Sequence, residues 1–312
     1  MRWSDGSLSL ALGDEYLDVR PTDLSRECAF LCAVHEGNTV QALARVEARL
    51  AAVPDLKSAL HRRLKASVAQ QHRREERVRA LIAKETKGLF DASETDAMGS
   101  LICTRRPTRK SRQKPTRVML AAHMDEIGFF VRHVDENGMI WVNPAGGFDT
   151  RNLFASRVLV CTQHGDLKGV MNPGGKPLHI SSPEDRKKIP EPTEFMVDIG
   201  MGAKAADVVK VGDYVVMDEP FIQVGDKLVS KAMDNRVACW LGIEAIRALG
   251  KKGRGAEIHV AFTCQEEVGL RGARTAAYAI KPDIGIGIDV TLACDTPGVP
   301  EKDATTIQGK GF

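Results

Sequence analysis

The pattern of hydrophobic and polar positions divides the chain into stretches of different period. Apolar residues across 38–87, as in LARVEARLAAV, recur with a helical period that Pro54 interrupts. Residues 128–228 carry short alternating runs separated by Gly, Pro and Asp turns, which predicts a small β-barrel or sandwich. Helical and strand-like patterns alternate in the remaining C-terminal part, beginning with the helix AMDNRVACWLGIEAIRALGKK.

Apolar strands on both sides of the β-rich block indicate one α/β domain that the block interrupts. RVMLAAHM precedes the block, and EIHVAFTC and IGIGIDV follow it. Strands buried on both faces with helices between them indicate an open sheet sandwiched by helices. We therefore predict a mixed open sheet over 75–127 and 229–312, a β-barrel-like domain over 128–228, and an atypical helical N-terminal extension over 1–74.

Composition limits the function classes without choosing one. The 312 residues are 43% hydrophobic and 27% charged, and the net charge of +3 does not suggest a polyanionic partner. Seven scattered cysteines argue against a disulfide framework. Because there is no signal-peptide pattern and no apolar run approaching about 18 residues, we predict a cytoplasmic protein without a membrane segment.

Three features are open to both a functional and a structural interpretation. Cys28, Cys32 and His35 could hold a metal, but their near-helical spacing among Ala and Leu favours a core role. The basic face of the helix predicted after Pro54 is typical of a solvated surface. The segment RRPTRKSRQKPTR (105–117) could contact nucleic acid, yet it has no aromatic residue for base stacking, which favours a solvated hairpin loop.

Acidic residues and one histidine follow apolar runs at four places. They are His123 with Asp125, Asp234, Glu266 with Glu267, and Asp289 with Asp295 six residues later. Residues two apart in a strand face the same side, so Asp125 can hold one nitrogen of His123 while the other binds a metal. Asp234 could equally cap the N-terminus of a helix.

Taken together, these side chains are one histidine and three or four carboxylates from the ends of different strands. They form a plausible ligand set for two divalent ions about 3.5–4 Å apart, with one carboxylate bridging. A further carboxylate that is not a ligand would serve as general base. The sequence therefore predicts a metal-dependent hydrolytic centre.

The stretches around these residues resemble the glutamyl aminopeptidase / cellulase M family, the dinuclear TET-type metallo-aminopeptidases. The similar stretches are AAHMDEIGF, KPLHISSPEDRKK, SKAMDNRVACWLGIEAI, FTCQEEVGLRGA and IGIDVTLACDTPGVPE. The resemblance implies removal of N-terminal residues from peptides by a water that two divalent ions (Zn, Co or Mn) activate. His123 and Asp289 would bind one ion, Glu267 would bind the other, and Asp234 would bridge them.

The resemblance also implies roles outside the ligand set. Glu266 would be the general base that takes a proton from the attacking water, and Asp125 would orient the histidine. The block 128–228 would be a dimerisation domain. The subunits would form a homo-oligomer in which dimers assemble into a dodecamer.

Two departures from the family pattern qualify these implications. Residues 1–70 do not fit the pattern, and the family's final strand, helix and second histidine ligand have no match after Asp289. His133 and His259 lie inside predicted strands and do not substitute for that ligand. We therefore expect a weaker second metal and an exposed sheet edge with apolar surface. The alternative function is a truncated, catalytically incomplete member that acts only as a binding or assembly subunit.

Overall fold

The computed structural model divides the chain into two compact units, Met1–Ala66 and Ser67–Phe312. Side chains are described over 75–108, 113–250 and 255–308, apart from residue 178. In the first unit the described part is the backbone of five strands.

The strands of the first unit pair antiparallel. They are β1 (Leu8–Leu12), β2 (Glu15–Asp23), β3 (Phe30–His35), β4 (Thr39–Arg45) and β5 (Ala48–Pro54). One sheet has the order β1–β2–β5, and β3 pairs with β4 in another. The N-terminal extension is therefore β-structured in its described part, not helical as the sequence predicts.

The helix predicted over 38–87 is wrong in its first half. LARVEARLAAV spans the end of β4 and most of β5, which pair with β3 and β2 respectively. Helix propensity is a weak preference, and strand pairing with β3 and β2 overrides it. The prediction is correct for 75–85, which is helical, whereas 55–74 lies outside the described residues. The possible ligands Cys28, Cys32 and His35 have no described side chains.

The second unit contains thirteen strands and four α-helices in its described part. The strands are β6 (Ala92–Thr95), β7 (Leu101–Arg105), β8 (Arg117–His123), β9 (Gly128–Val134), β10 (Ile140–Ala145), β11 (Ser156–Thr162), β12 (Gly165–Pro173), β13 (Phe195–Asp198), β14 (Tyr214–Met217), β15 (Ile222–Val224), β16 (Lys227–Val229), β17 (Glu257–Thr263) and β18 (Ile284–Gly287). The helices are α1 (75–85), α2 (Ala205–Val208), α3 (Met233–Leu249) and α4 (Arg271–Ile280).

An open five-stranded sheet has the order β18–β8–β17–β7–β6. β8 runs parallel to both β17 and β18, whereas β7 is antiparallel to β17 and β6. The predicted hairpin loop at 105–117 is therefore wrong, because β17 lies between β7 and β8. Arg105, at the end of β7, is buried and donates to the carbonyl of Ile246 at 3.1 Å. This arginine supports the packing of α3 on the sheet and is not a solvated loop residue.

Helices cover both faces of the open sheet, as its alternating side chains require. On one face Cys103, Val260 and Phe262 pack with residues of α1 and α3 such as Ile82 and Ile243. On the other face Ile102, Met119 and Ala261 pack with Ala276 and Ile280 of α4. Successive residues of one strand thus enter different cores, as the two-residue period of a strand dictates. The predicted α/β sandwich is confirmed.

The β-rich block forms a closed six-stranded barrel in the order β10–β13–β12–β11–β14–β9. Its interior is apolar, and Phe129, Ile140, Val160 and Phe195 are fully buried there. The barrel interrupts the α/β part between β8 and β17, as the sequence predicts. Its role in dimerisation remains a prediction.

Among the described strands, β18 is the edge strand of the open sheet, and its four residues are all exposed. Ile284 and Ile286 keep 49% and 45% of their surfaces exposed, so apolar surface lies at this edge as expected. Within the described residues, no helix has the length and apolarity to cross a membrane.

Candidate metal centre

The carboxyl ends of β8 and β17 lie side by side because these two strands are parallel. His123 is the last residue of β8 and is paired in register with Thr263, the last residue of β17. Its side chain is 2% exposed. The sheet therefore fixes a buried imidazole at the edge where the predicted carboxylates converge.

The two ring nitrogens of His123 face different partners. Nδ1 lies 3.2 Å from the carbonyl oxygen of Asp125 and 3.5 Å from its Oδ1. Nε2 lies 3.1 Å from Oδ1 of Asp234, 3.7 Å from Oε2 of Glu266 and 3.9 Å from Oδ1 of Asp289. One nitrogen is thus held by Asp125, and the other points into a cluster of carboxylates.

Asp125 also holds the turn that follows β17. Its Oδ1 and Oδ2 accept hydrogen bonds from the backbone amides of Glu266 and Glu267, each at 3.2 Å. Gln265 has a left-handed backbone with φ of 57°, so the chain turns before the two glutamates. Both side chains consequently lie in a turn and reach the same imidazole instead of diverging as successive residues of a strand would.

Asp234 points into the centre and does not cap helix α3. The N-cap position of α3 is Ala232, and no side chain caps it. The backbone at Asp234 and Asn235 departs from helical angles, and the peptide bond between them is cis. This departure places the Asp234 carboxylate beside His123, which decides against the capping interpretation.

Asp289 is the second residue after β18, and its carboxylate lies at the centre. Asn235 is fully buried and donates from Nδ2 to the carbonyl of Ile288 at 2.8 Å, so the residues beside Asp234 and Asp289 are bonded to each other. Asp295 is different, because its Oδ1 accepts from the backbone amide of Gln308 at 3.3 Å. It stabilises a distant turn and does not join the cluster.

The crowding of carboxylates raises the affinity of the centre for positive charge. Burial lowers the pKa of His123, but its hydrogen bond to Asp125 and the charges of Asp125, Glu266 and Asp289 outweigh burial and raise the pKa to about 9. Burial and the charge of Asp234 raise the pKa of Glu267 to about 7. Burial is also the main cause of the raised pKa of Glu266.

The donor set fits divalent metal ions. Ligand atoms of His123, Asp234 and Asp289 lie within 4.8 Å of one another, and so do those of His123, Glu266 and Glu267. An imidazole with several carboxylates is a donor set that suits Zn, Co and Mn. The two groups share His123, and His259 cannot supply a second imidazole, because it contacts Thr104 and Glu257.

Sequence reasoning missed three charged residues beside the predicted ligands. Glu126 is 6% exposed and forms ion pairs with Lys231 at 2.6 Å and Arg236 at 3.0 Å. The available signal was a second carboxylate directly after Asp125, together with basic residues on both sides of Asp234 in KAMDNR.

An open cleft of about 590 Å³ adjoins the centre. Asp234 and Glu267 border it, and apolar residues such as Ile127, Met217 and Ile222 line its walls. The cleft offers room for a ligand next to the polar centre.

The open sheet, the inserted barrel and the carboxylate-rich strand ends together define the class of α/β proteins with a centre suited to metal ions. Within that class, the chain belongs to the M42 glutamyl aminopeptidase family, whose model matches residues 99–312. A second family model, described as Leo1-like protein, matches residues 1–88, which is under a third of the chain.

Named relatives agree with this family. The lysyl aminopeptidase of Pyrococcus furiosus is 31% identical over 221 residues, covering 69% of this chain and 61% of the relative. The aminopeptidase APDkam598 from the archaeon Desulfurococcus kamchatkensis matches with a TM-score of 0.68 and 35% identity, covering 76% of this chain and 63% of that one.

The TET1 peptidase of Pyrococcus horikoshii matches with a TM-score of 0.61 and 32% identity, covering 72% of this chain and 65% of that one. Its structure is described as one that can assemble into a tetrahedron or a large octahedral shell. The chain thus spans less than two thirds of the length of each of these proteins.

Proposed function

We propose that the protein is a metal-dependent aminopeptidase that removes N-terminal residues from peptides. The observation that carries the proposal is the convergence on His123 Nε2 of carboxylates from three other segments of the fold. Membership of the M42 family supports the peptidase activity. The aminopeptidases among the relatives support the direction of attack from the N-terminus.

Each residue of the centre has a distinct role in this proposal. His123 and Asp289 would hold one divalent ion, Glu267 would hold the second, and Asp234 would bridge the two. Zn, Co or Mn would suit these donors. When bound, the ions would supply Lewis-acid activation of water and of the scissile carbonyl.

The chain's own residues would supply proton transfer and orientation. Glu266 would accept the proton of the attacking water and return it to the leaving amine. Burial raises the pKa of this carboxyl above its ordinary value, which favours its acting as a proton acceptor. Asp125 would hold Nδ1 of His123, which leaves Nε2 free to coordinate.

The cleft beside Asp234 and Glu267 would receive the N-terminal part of the peptide. We also propose a homo-oligomer in which barrels form dimers and the dimers form a dodecamer. The tetrahedron and octahedral shell described for the P. horikoshii relative support assembly into a large oligomer. A cytoplasmic location fits the free thiols among the described cysteines, which are Cys103, Cys161, Cys239, Cys264 and Cys294.

The deciding experiment is Glu266→Gln, assayed with a panel of aminoacyl substrates. Loss of a general base should lower hydrolysis by about 10²–10⁴-fold, while metal content measured on the same protein stays at the wild-type level. Glu194→Gln, which removes a half-buried carboxylate paired with Lys188 in the barrel part of the chain, is the matched control and should change neither quantity.

Activity that survives in Glu266→Gln would overturn the assigned mechanism. The metal content of the wild-type protein tests the alternative of an incomplete member. Near-stoichiometric occupancy by two ions would contradict that alternative.

A further inference from the structure

Three consecutive residues after His123 connect the end of β8 to other segments of the fold. Met124 donates its amide to the carbonyl of Thr263 at the end of β17, at 2.8 Å. Asp125 accepts from the turn after β17, as described above. Glu126 has no part in the proposed chemistry, yet it is the next residue in this series and is buried.

Glu126 forms hydrogen bonds through both its carboxylate and its backbone carbonyl. Oε2 lies 2.6 Å from Nζ of Lys231, and Oε1 accepts from the guanidinium of Arg236 at 3.0 Å. Its backbone carbonyl accepts from the hydroxyl of Tyr214, a buried residue of β14 in the barrel, at 2.9 Å. The carboxylate thus links the end of β8 to the start of α3, and the backbone links it to the barrel.

The two cations that bind Glu126 lie on both sides of Asp234 in the chain. Lys231 precedes Asp234 by three residues, and Arg236 follows it by two. Asp234 itself is 60% exposed and sits where the backbone departs from helical angles, so close packing does not fix its carboxylate. The ion pairs at its flanks are side-chain contacts that hold both ends of this segment against Glu126, close after β8.

We propose that Glu126 is a positioning residue that, through Lys231 and Arg236, holds Asp234 opposite His123 for metal binding. The inference rests on the proposed function, because it assigns Asp234 to the ligand set. Outer contacts that orient ligands commonly change metal affinity by about 10–100-fold when they are removed.

Charge reinforces the positional effect. Glu126 neutralises Lys231 and Arg236 at 2.6 and 3.0 Å. Replacing Glu126 by a neutral residue would remove a negative charge beside Lys231 and Arg236, and the net positive charge added next to the centre would oppose the binding of a divalent cation. Both effects predict weaker metal binding.

The test is Glu126→Gln, with the dissociation constant of Co²⁺ measured by titration of the metal-free, full-length protein. We expect binding about 10–100-fold weaker than in the wild type. Glu194→Gln is the matched control, because Glu194 accepts from Lys188 at a similar 2.7 Å but its side chain is 39% exposed and lies in the barrel part of the chain. Its Co²⁺ affinity should equal that of the wild type.

Circular dichroism separates this effect from loss of the fold. If Glu126→Gln does not fold, the variants Lys231→Met and Arg236→Gln test the same positioning role. Their side chains are more exposed than that of Glu126. Each of these changes also removes a positive charge, which by itself would strengthen cation binding. Weaker Co²⁺ binding in both therefore supports the proposal, whereas affinity equal to or above that of the wild type in both overturns it.

Wild-type affinity in a folded Glu126→Gln protein would likewise overturn the positioning role while leaving the proposed function intact. Absence of Co²⁺ binding to the wild type itself would instead show that the proposed function fails.

Discussion

The barrel and the open sheet bury very different side chains. Inside the closed barrel, Phe129, Val160 and Phe195 are fully buried among other apolar residues. At the carboxyl end of the open sheet, the buried residues include the polar His123 and Asp125, exposed by only 3% and 5%. The barrel interior is filled by apolar side chains, whereas the sheet edge places polar groups beside the apolar cores of the sheet, where a ligand can reach them.

Charge sharpens this difference between the two regions. Six carboxylates cluster at the sheet edge, namely Asp125, Glu126, Asp234, Glu266, Glu267 and Asp289. Lys231 and Arg236 engage Glu126, and His123 faces most of the others. Such a cluster repels itself unless protons or metal ions enter, so the edge has a cost in stability that the barrel core does not have.

The largest expected effect is the loss of stability when a buried side chain of the barrel is shortened. Phe195→Ala removes a fully buried ring and leaves a cavity, which should lower the free energy of unfolding by about 3–5 kcal/mol. Chemical denaturation of the metal-free protein, followed by circular dichroism, measures the change.

Phe154→Ala is the matched control, because Phe154 stacks edge-on against Phe195 at 5.8 Å but is 51% exposed. Its loss should cost no more than about 1 kcal/mol. Equal losses in the two variants would contradict the assignment of stability to the barrel interior.

A smaller effect is expected from pH on the metal-free protein. The pKa values of Glu267 and His123 are raised to about 7 and about 9, so the folded state binds protons more tightly than the unfolded state. Their stabilising contribution is complete below the ordinary values of 4.5 and 6.5 and disappears as pH rises through 7 and 9. The free energy of unfolding should therefore fall between pH 5 and pH 9.

Hydrogen exchange measured at pH 5 and at pH 9, with a chelator present, shows which segments of the fold lose stability. Peptides from the ends of β8 and β17 should lose protection, whereas barrel peptides should keep it. Addition of Co²⁺ should restore protection most strongly at high pH, because His123 and Glu267 must release protons to become ligands. If barrel peptides lose protection first, the conclusion that the carboxylate cluster lowers stability at the sheet edge and not in the barrel would be wrong.

The sequence predicted the features that depend on local period and on strand ends. His123 and Asp125 follow an apolar run, so their place at the end of β8 could be inferred from alternation alone. The β-rich domain could be inferred in the same way, because the short alternating runs of 128–228 predict a small β-barrel or sandwich, and the structure shows the barrel.

Features that depend on distant partners could not be predicted. β17 lies between β7 and β8, although about 150 residues separate β17 from β7, and this order overturned the predicted hairpin loop. The ion pairs of Glu126 join residues more than 100 positions apart, so no local pattern indicates them. Strands β4 and β5 were not predicted for a different reason: their residues also carry a helical period.

The smallest effect is expected at β18, the edge strand of the open sheet. Ile286→Ser should change the free energy of unfolding by no more than about 0.5 kcal/mol, because 45% of this side chain is already exposed. Ile102→Ser, at a 2% exposed position of β7 in the same sheet, is the control and should cost several times more. A loss above about 1 kcal/mol for Ile286→Ser would exceed the usual range for surface substitutions. That result would show that the apolar face of β18 is covered in solution, and the contrast between a closed barrel and an open sheet edge would then need revision.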